Sequence, residues 1–323
     1  MTPRLRHWPR LLAAAALLGA GSPAPASGAH EGRSPGPPAP PARLALAGQQ
    51  PGVPAPGTNE RLRTLRALAA RGDPEAQYEL GFIHEAGLGV DADPVAALDW
   101  YRKAAGAGHA PAQNNLGALH ARGLGVAADL AEAVRWYRLA AAQGYAAAEY
   151  NLGLAHAHGL GVRPDERAAA TWYRRAAEQG YAPAELNLGQ AHAGGRGVER
   201  DAAEAARWYR RAAERGLAQA QVNLANLHML GRGVARSFAE ARAWYLLAAE
   251  QGDAQAQYNL GVIYGKGQGV AIDYVEAGMW LTLAGESGHE GAAALVETLR
   301  PLLSDDQLGA LDRRVGDWRA RPH

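Results

Sequence analysis

The chain contains no cysteine, which excludes disulfide bonds, thiolate metal sites and cysteine nucleophiles. Its 33 Lys and Arg residues nearly balance its 32 Asp and Glu residues, so overall charge favours neither nucleic acid nor an acidic membrane as a partner. Serines are few, and none lies in a nucleophile elbow or a Ser-x-x-Lys motif. No glycine loop is followed by Lys-Ser or Lys-Thr to bind phosphate. The sequence therefore predicts no catalytic residue, no cofactor and no enzymatic function.

The N-terminal apolar run, residues 11–18, is too short to span a bilayer as a helix. Arginines precede it and small residues follow it, which is typical of a signal peptide. We expect residues 1–26 to be removed, leaving a periplasmic or secreted protein with no stable membrane span. An uncleaved anchor or a misassigned start is the alternative. Residues 27–57 are rich in Pro, Ala and Gly, and we expect them to be a disordered linker.

The rest of the chain is dominated by a 36-residue unit that recurs without gaps. A glycine starts each unit, and a Trp-Tyr pair, such as Trp172-Tyr173, keeps the same spacing. A fixed period of this length is typical of solenoids. The six predicted repeats are residues 72–107, 108–143, 144–179, 180–215, 216–251 and 252–287.

Each unit has the pattern of two helices joined by a turn. The first begins near Asp73-Pro74 and ends at the glycines of Gly87-Leu-Gly-Val90. The second begins at Asp93, with a buried stripe that includes the Trp-Tyr pair. Later copies predict capping boxes at its start: Asp129 with Glu132, Asp201 with Glu204, Ser237 with Glu240 and Asp273 with Glu276. The predicted fold is all-α, a right-handed α-solenoid with capping segments at residues 58–71 and 288–323.

The pattern resembles the Sel1-like repeat, a relative of the tetratricopeptide repeat. The resemblance rests on the Ala-x-x-Asn-Leu-Gly run, the Gly-x-Gly-Val turn and the Ala-x-x-Trp-Tyr-x-x-Ala-Ala stretch, and it covers Gly72 to about Gly288. It implies an α-solenoid adaptor for other proteins, and members are often bacterial, exported and involved in envelope signalling or polysaccharide regulation. One cysteine-rich branch is associated with penicillin binding or hydrolysis. The absence of cysteine here means that this activity does not carry over.

A histidine recurs near the end of five first helices, followed by a tyrosine in the sixth: His84, His120, His156, His192, His228 and Tyr264. Side chains at equivalent positions of stacked units run parallel and do not converge, and no acidic residue recurs beside them as a second ligand. We expect packing and hydrogen bonding here, and no metal site. Arginines near the ends of the second helices complement the helix dipole. A ridge for an acidic partner or a polysaccharide is the alternative.

An asparagine column predicts where a partner binds. The column comprises Asn115, Asn151, Asn187, Asn223 and Asn259, with Glu79 in the first copy. An amide both donates to and accepts from a peptide backbone. Neighbouring positions vary between repeats, and the predicted partner contacts there are Tyr150, Tyr258 and Gln190. The alternative is that the asparagines bond the adjacent repeat and stiffen the stack.

These features together predict an exported bacterial adaptor whose concave face binds a protein or peptide segment of an envelope partner. Its expected pathway is envelope signalling or polysaccharide regulation. The alternative is a carbohydrate-binding or β-lactam-interacting envelope protein.

Overall fold

The computed structural model describes residues 58–321, so the predicted signal peptide and linker lie outside the described residues. Within this range the chain forms fifteen α-helices and one 3-10 turn, with no β-strand. The helices are α1 Thr58–Ala70, α2 Pro74–Ala86, α3 Pro94–Gly106, α4 Ala110–Arg122, α5 Leu130–Ala142, α6 Ala146–His158, α7 Glu166–Glu178, α8 Ala182–Gly194, α9 Ala202–Glu214, α10 Ala218–Leu230, α11 Phe238–Glu250, α12 Ala254–Lys266, α13 Tyr274–Glu286, α14 Ala292–Leu299 and α15 Asp305–Arg319, with the 3-10 turn at Arg300–Leu302. No helix in residues 58–321 is long and apolar enough to cross a membrane.

Helices α2 to α13 form six consecutive helix-turn-helix repeats, which confirms the predicted all-helical solenoid. The described chain divides into two compact units, one of residues 58–191 with 195–199 and the other of residues 192–194 with 200–321. In the first unit, the buried side chains form clusters between successive helices from α1 to α6. In the second, one continuous cluster runs from α10 to α15.

Glycines end the first helices because the chain must reverse there with a left-handed backbone. Gly159, with φ of 70°, ends α6 and donates its N–H to the carbonyl of Ala155. The second helices begin at a side-chain cap. Asp165, for example, accepts hydrogen bonds from the backbone N–H groups of Arg167 and Ala168 at 2.9 and 3.0 Å.

The predicted capping boxes of the second helices are only half formed. All four cap residues accept the N–H bond, but Glu132, Glu204 and Glu276 accept from side chains elsewhere. Glu132 accepts from Arg135 at 3.0 Å, and Glu276 accepts from the indole N–H of Trp280 at 2.9 Å. Both halves of a capping box form between Ser304 and Gln307, at the start of α15.

Within a repeat, the two helices approach closely where a glycine meets a tyrosine ring. A Cβ added at Gly117 would lie 2.8 Å from Cε1 of Tyr137, which no real structure accommodates without a shift. The tyrosine of the Trp-Tyr pair is therefore the core residue, and Tyr101 and Tyr245 are almost completely buried.

The prediction that both members of the Trp-Tyr pair are buried is wrong for the tryptophan. Trp172 is only half-buried, and so are the equivalent tryptophans of repeats one, two, four and five. Adjacent helical residues point about 100° apart, so the tyrosine and the tryptophan cannot both face the core. Trp280 is the exception, at 2% exposed, because the ring of Trp318 on α15 covers it at 4.8 Å.

Neighbouring repeats meet through backbone as well as side chains. Gly161, the second glycine of its turn, has φ of 71° and lies so close to the carbonyl of Leu130 that a Cβ would overlap it. Gly125 stands in the same relation to Pro94, and Gly233 to Ala202. Each contact joins the turn of one repeat to the first residue of the preceding second helix. The spacing between repeats is thus limited to what two backbones allow.

Candidate interaction face

The asparagine column lies on the first helices, where three of its members fall in the first unit. Asn115 is only 2% exposed and donates through Nδ2 to the hydroxyl of Tyr101 at 3.1 Å. Asn151 is half-buried and donates to Oδ1 of Asn114, on the preceding first helix, at 2.9 Å. These bonds tie successive repeats together, as the alternative for this column predicts.

Asn187 also bonds tyrosine hydroxyls. Burial raises the pKa of Tyr173 to about 12, and a hydrogen bond with Asn187 opposes that rise. The same amide bonds Tyr150, whose pKa burial also raises. The Tyr173–Asn187 contact has the same spacing along the chain as Tyr101–Asn115. Asn115 and Asn187 therefore each provide a hydrogen-bond partner for the hydroxyl of a buried tyrosine in the preceding repeat.

The second unit repeats this arrangement with a further amide. The Tyr245 hydroxyl donates to Oδ1 of Asn226, and a hydrogen bond with Asn259 opposes the rise of the Tyr245 pKa caused by burial. Asn259 also accepts from Gln255 Nε2 at 3.1 Å. Asn223 accepts from Gln219 at 3.5 Å, one repeat earlier. Asn223 and Asn259 are half-buried, so part of each amide remains at the surface.

The predicted variable contacts divide into buried and accessible residues. Tyr150 and Tyr258 are 7% and 5% exposed, and their rings pack on Tyr181 and His289 with centroids 5.3 and 4.0 Å apart. Such side chains offer a partner very little surface. Gln190 is half-buried and keeps an accessible side chain. The first-helix face, which we define as Asn151 and Asn187 with the residues three positions after them, Leu154 and Gln190, lies in the first unit and consists of half-buried side chains that a partner can reach.

The histidine column lies against the start of the second helix of each repeat. The carbonyl of His156 accepts the N–H of Asp165 at 2.9 Å, and the other histidines accept in the same way. His228 also places Nδ1 3.3 Å from the carbonyl oxygen of Ala235. In the described part of the chain, no three His, Asp or Glu side chains are arranged to hold a metal ion.

One polar network was not foreseen from the sequence. Glu149 is 1% exposed, and its carboxylate accepts from Arg175 Nε at 2.9 Å and from Gln179 Nε2 at 2.7 Å. The equivalent residue in the preceding repeat is Gln113, which donates to the carbonyl of Ala105 at 3.2 Å and accepts from Gln143 at 2.8 Å.

The signal for this network is a paired change of residue types within the chain. Where the buried residue is Gln113 or Gln221, the residue 26 positions later is Leu139 or Leu247. Where the buried residue is Glu149, that position is Arg175. A buried carboxylate requires a partner that a buried amide does not.

Cations near the ends of the second helices stack on the half-buried tryptophans. Lys103 lies 4.0 Å from the ring centroid of Trp100, and Arg175 lies 4.8 Å from that of Trp172. Each cation also sits where it complements the helix dipole. These stacking contacts engage basic side chains near the ends of the second helices, the same residues that the alternative assigns to a ridge for an acidic partner or a polysaccharide.

Comparison with known proteins gives a single family. The family model described as "Sel1 repeat" matches six consecutive segments, residues 74–109, 110–145, 146–181, 182–217, 218–253 and 254–289. Each match begins two residues after the glycine that starts the repeats defined above.

Two solved structures are similar in sequence and in fold. One is c5321 of uropathogenic Escherichia coli, described as a protective antigen with an SLR fold, at 34% identity and a TM-score of 0.71. That match covers 79% of this chain and 56% of the E. coli chain, so this chain corresponds to little more than half of that protein. The other is a Sel1 repeat protein of Oxalobacter formigenes, at 35% identity and a TM-score of 0.62, covering 70% of this chain and 92% of that one. No curated protein matches the chain.

Proposed function

The chain belongs to the Sel1 repeat family, and we propose that it is an exported adaptor that binds a protein segment along its first-helix face. Proteins built from Sel1 repeats are generally protein–protein interaction modules. The proposal goes further in naming the face, the compartment and the class of partner, which is a segment of another envelope protein.

One observation carries the choice of face. Polar amides recur along the first helices at half-buried positions, Asn151 and Asn187 in the first unit and Asn223 and Asn259 in the second. Three residues after each, the side chain changes from repeat to repeat, as from Leu154 to Gln190. A repeated amide provides a constant polar contact, and the changing neighbour provides selectivity.

Export rests on the N-terminal pattern of arginines, a short apolar run and small residues. The similar E. coli protein is described as a protective antigen, which agrees with export of this chain. Detection of the mature protein in the cytoplasm with Met1 retained would contradict it. Envelope signalling and polysaccharide regulation are the pathways that we propose.

The binding face is tested by exchanging side chains that carry selectivity and leaving the asparagines in place. Leu154→Gln with Gln190→Leu keeps the size of both side chains and reverses their polarity. We expect a partner recovered from envelope extract to bind this variant at least tenfold more weakly, about 1.4 kcal/mol, with an unchanged melting temperature.

Arg138→Gln is the matched control, because Arg138 is exposed on a second helix, and this variant should bind as the wild type does. Equal weakening by both changes would show that the first-helix face does not select the partner. Binding to a glycan array in place of any protein would instead favour a carbohydrate-binding function.

A further inference from the structure

A column of rings lies at the starts of three successive first helices in the first unit. His109, Tyr145 and Tyr181 are the cap residues of α4, α6 and α8, so they follow one another at the repeat spacing. All three side chains are partly exposed. The next two positions of the series, in the second unit, hold Leu217 and Asp253. The ring column, which we define as His109, Tyr145 and Tyr181, therefore belongs to the first unit.

Buried rings hold the ring column in place. The ring of Tyr78 packs on that of His109 with centroids 4.9 Å apart, and the ring of Tyr150 packs on that of Tyr181 at 5.3 Å. Tyr78 and Tyr150 are 9% and 7% exposed, and Tyr145 packs against the cluster of buried side chains from α5 and α6. A surface whose rings are already fixed loses little conformational entropy when a ligand binds.

The hydroxyls of Tyr145 and Tyr181 are able to bond a ligand. Neither side chain caps its helix, and neither hydroxyl forms a hydrogen bond with another residue of the range 58–321. Burial raises the pKa of Tyr145, and the nearby hydroxyls of Tyr78 and Tyr181 add to that rise. The Tyr145 hydroxyl therefore keeps its proton and can donate it to a carbonyl oxygen.

The ring column is continuous with the first-helix face. Asn187, a member of that face, bonds the hydroxyl of Tyr150, and the Tyr150 ring packs on Tyr181. A partner segment that contacts Asn187 is therefore one side chain away from the ring column.

We propose that the ring column binds a proline-rich stretch of the partner segment in the polyproline II conformation, an inference that rests on the proposed function. This conformation forms no internal hydrogen bonds, so its carbonyls can accept from the tyrosine hydroxyls, and proline-rich segments dock on aromatic side chains. One turn of the peptide has three residues and rises about 9 Å. Packed helices have axes about 8–10 Å apart, and Asn151 bonds Asn114 across two successive first helices at 2.9 Å. Each turn of the peptide thus meets one ring of the column.

The charge beside the ring column favours a peptide with a basic residue next to its prolines. Nδ1 of His109 accepts from the N–H of Ala112 at 3.2 Å, so the ring carries its proton on Nε2 and donates to Glu75 at 3.1 Å. The Glu75 side chain is 63% exposed, which leaves its negative charge available at the α2 end of the column. A basic side chain complements this charge, whereas a neutral polysaccharide does not.

Fluorescence anisotropy with the full chain and two labelled peptides tests the inference. One peptide is Arg-Ala-Pro-Pro-Ala-Pro-Pro-Ala-Pro-Pro, and the other, Arg-Ala-Gly-Ser-Ala-Gly-Ser-Ala-Gly-Ser, has the same length and charge without proline. We expect the wild type to bind the proline peptide at least tenfold more tightly than the other. Tyr145→Leu with Tyr181→Leu should remove this preference, and the fold accepts leucine at the equivalent position, Leu217.

Tyr274→Leu is the matched control, because Tyr274 is a partly exposed tyrosine at the start of α13 in the second unit. This variant should bind the proline peptide as the wild type does. Equal binding of the two peptides by the wild type, or equal weakening by the control variant, would overturn the inference. A second measurement needs no variant: a benzophenone on the proline peptide should crosslink within residues 109–181, and crosslinks only to residues 200–321 would overturn the inference as well.

Two further outcomes separate this inference from its alternatives. Binding of cellohexaose in place of the proline peptide, lost in Tyr145→Leu with Tyr181→Leu, would assign the ring column to a polysaccharide and overturn the inference. An envelope partner that is weakened by Leu154→Gln with Gln190→Leu, but not by the loss of both tyrosines, would refute the proline-rich partner while leaving the adaptor function intact.

Discussion

Replacing Arg175 by leucine tests whether the buried carboxylate of Glu149 depends on its cation. The residue at this position of the neighbouring repeat is Leu139, so the substitution is one that the fold already accepts. In Arg175→Leu, Glu149 keeps the bond from Gln179 but loses its ion pair with Arg175 while remaining 1% exposed. Breaking a fully buried pair costs about 3–5 kcal/mol. Arg175 is 49% exposed, so we expect about 2 kcal/mol after screening by solvent.

The double variant Glu149→Gln with Arg175→Leu should recover most of this loss. The glutamine would donate to the carbonyl of Ala141 and accept from Gln179, as Gln113 does with Ala105 and Gln143. The loss of the contact between Arg175 and Trp172 is common to the single and double variants, and it cancels when the two are compared. We expect the double variant to lie within about 1 kcal/mol of the wild type, which gives a coupling above about 1 kcal/mol.

The assay is urea unfolding followed by circular dichroism for the wild type, both single variants and the double variant. Repeat proteins can unfold in stages, so the four curves are compared only if their slopes agree. A double variant as unstable as Arg175→Leu would refute the reasoning. The cost would then come from the lost arginine contacts and not from leaving the buried carboxylate of Glu149 without a cation. A loss below about 0.5 kcal/mol for Arg175→Leu would refute it as well.

Three further expectations follow from the packing. Gly161→Ala should lower the free energy of unfolding by about 2–4 kcal/mol and Gly144→Ala by about 1 kcal/mol. Both glycines have positive φ, but only Gly161 abuts the backbone of another helix. Equal losses of stability in a urea melt would show that this close backbone contact has no energetic cost. Trp172→Ala should lower the free energy of unfolding by about 1–2 kcal/mol, because the ring is only half-buried. A loss of about 3–5 kcal/mol, the range for a fully buried aromatic, would contradict half burial. Hydrogen bonds from backbone N–H groups at the start of α7 lower the pKa of Asp165 from 3.8, so its contribution to stability is present above that value and is lost as pH falls through the lowered pKa. Melting temperatures measured from pH 5 to pH 2 should decline less steeply for Asp165→Asn, and parallel curves would contradict the assignment.

The repeat architecture could be predicted from sequence because its anchors are tied to backbone geometry. Glycine is needed wherever the backbone is left-handed, and Asp or Ser caps the start of every second helix, so their period of 36 residues fixes the helices. Gly159 and Asp165 are examples, and both lie where the pattern places them.

The polar contacts could not be predicted in the same way, because they depend on which of two adjacent residues faces the core. The sequence shows that Trp172 and Tyr173 recur together, but only the structure shows that the tyrosine is inside and bonds Asn187. Glu149 was also missed as a buried residue, since an isolated carboxylate in a helix is ordinarily exposed. Its pairing with Arg175 becomes visible only when positions 26 residues apart are compared across repeats.

The contact between the turn of one repeat and the backbone of the preceding second helix has an evolutionary consequence. Gly161 meets a backbone carbonyl, as Gly125, Gly197 and Gly233 do, so at these turns the partner surface does not depend on which residue follows the cap. Gly269 of the last repeat instead meets the side chain of Phe238. Duplication or loss of one whole repeat therefore rejoins surfaces that already fit, and copy number can change without a new interface arising. The C-terminal end has no such freedom, because the ring of Trp318 and the side chain of Leu311 fit only Trp280 and Gly278 of the last repeat. Growth or shrinkage of this protein is thus expected among its inner repeats, with the last one inherited together with α15.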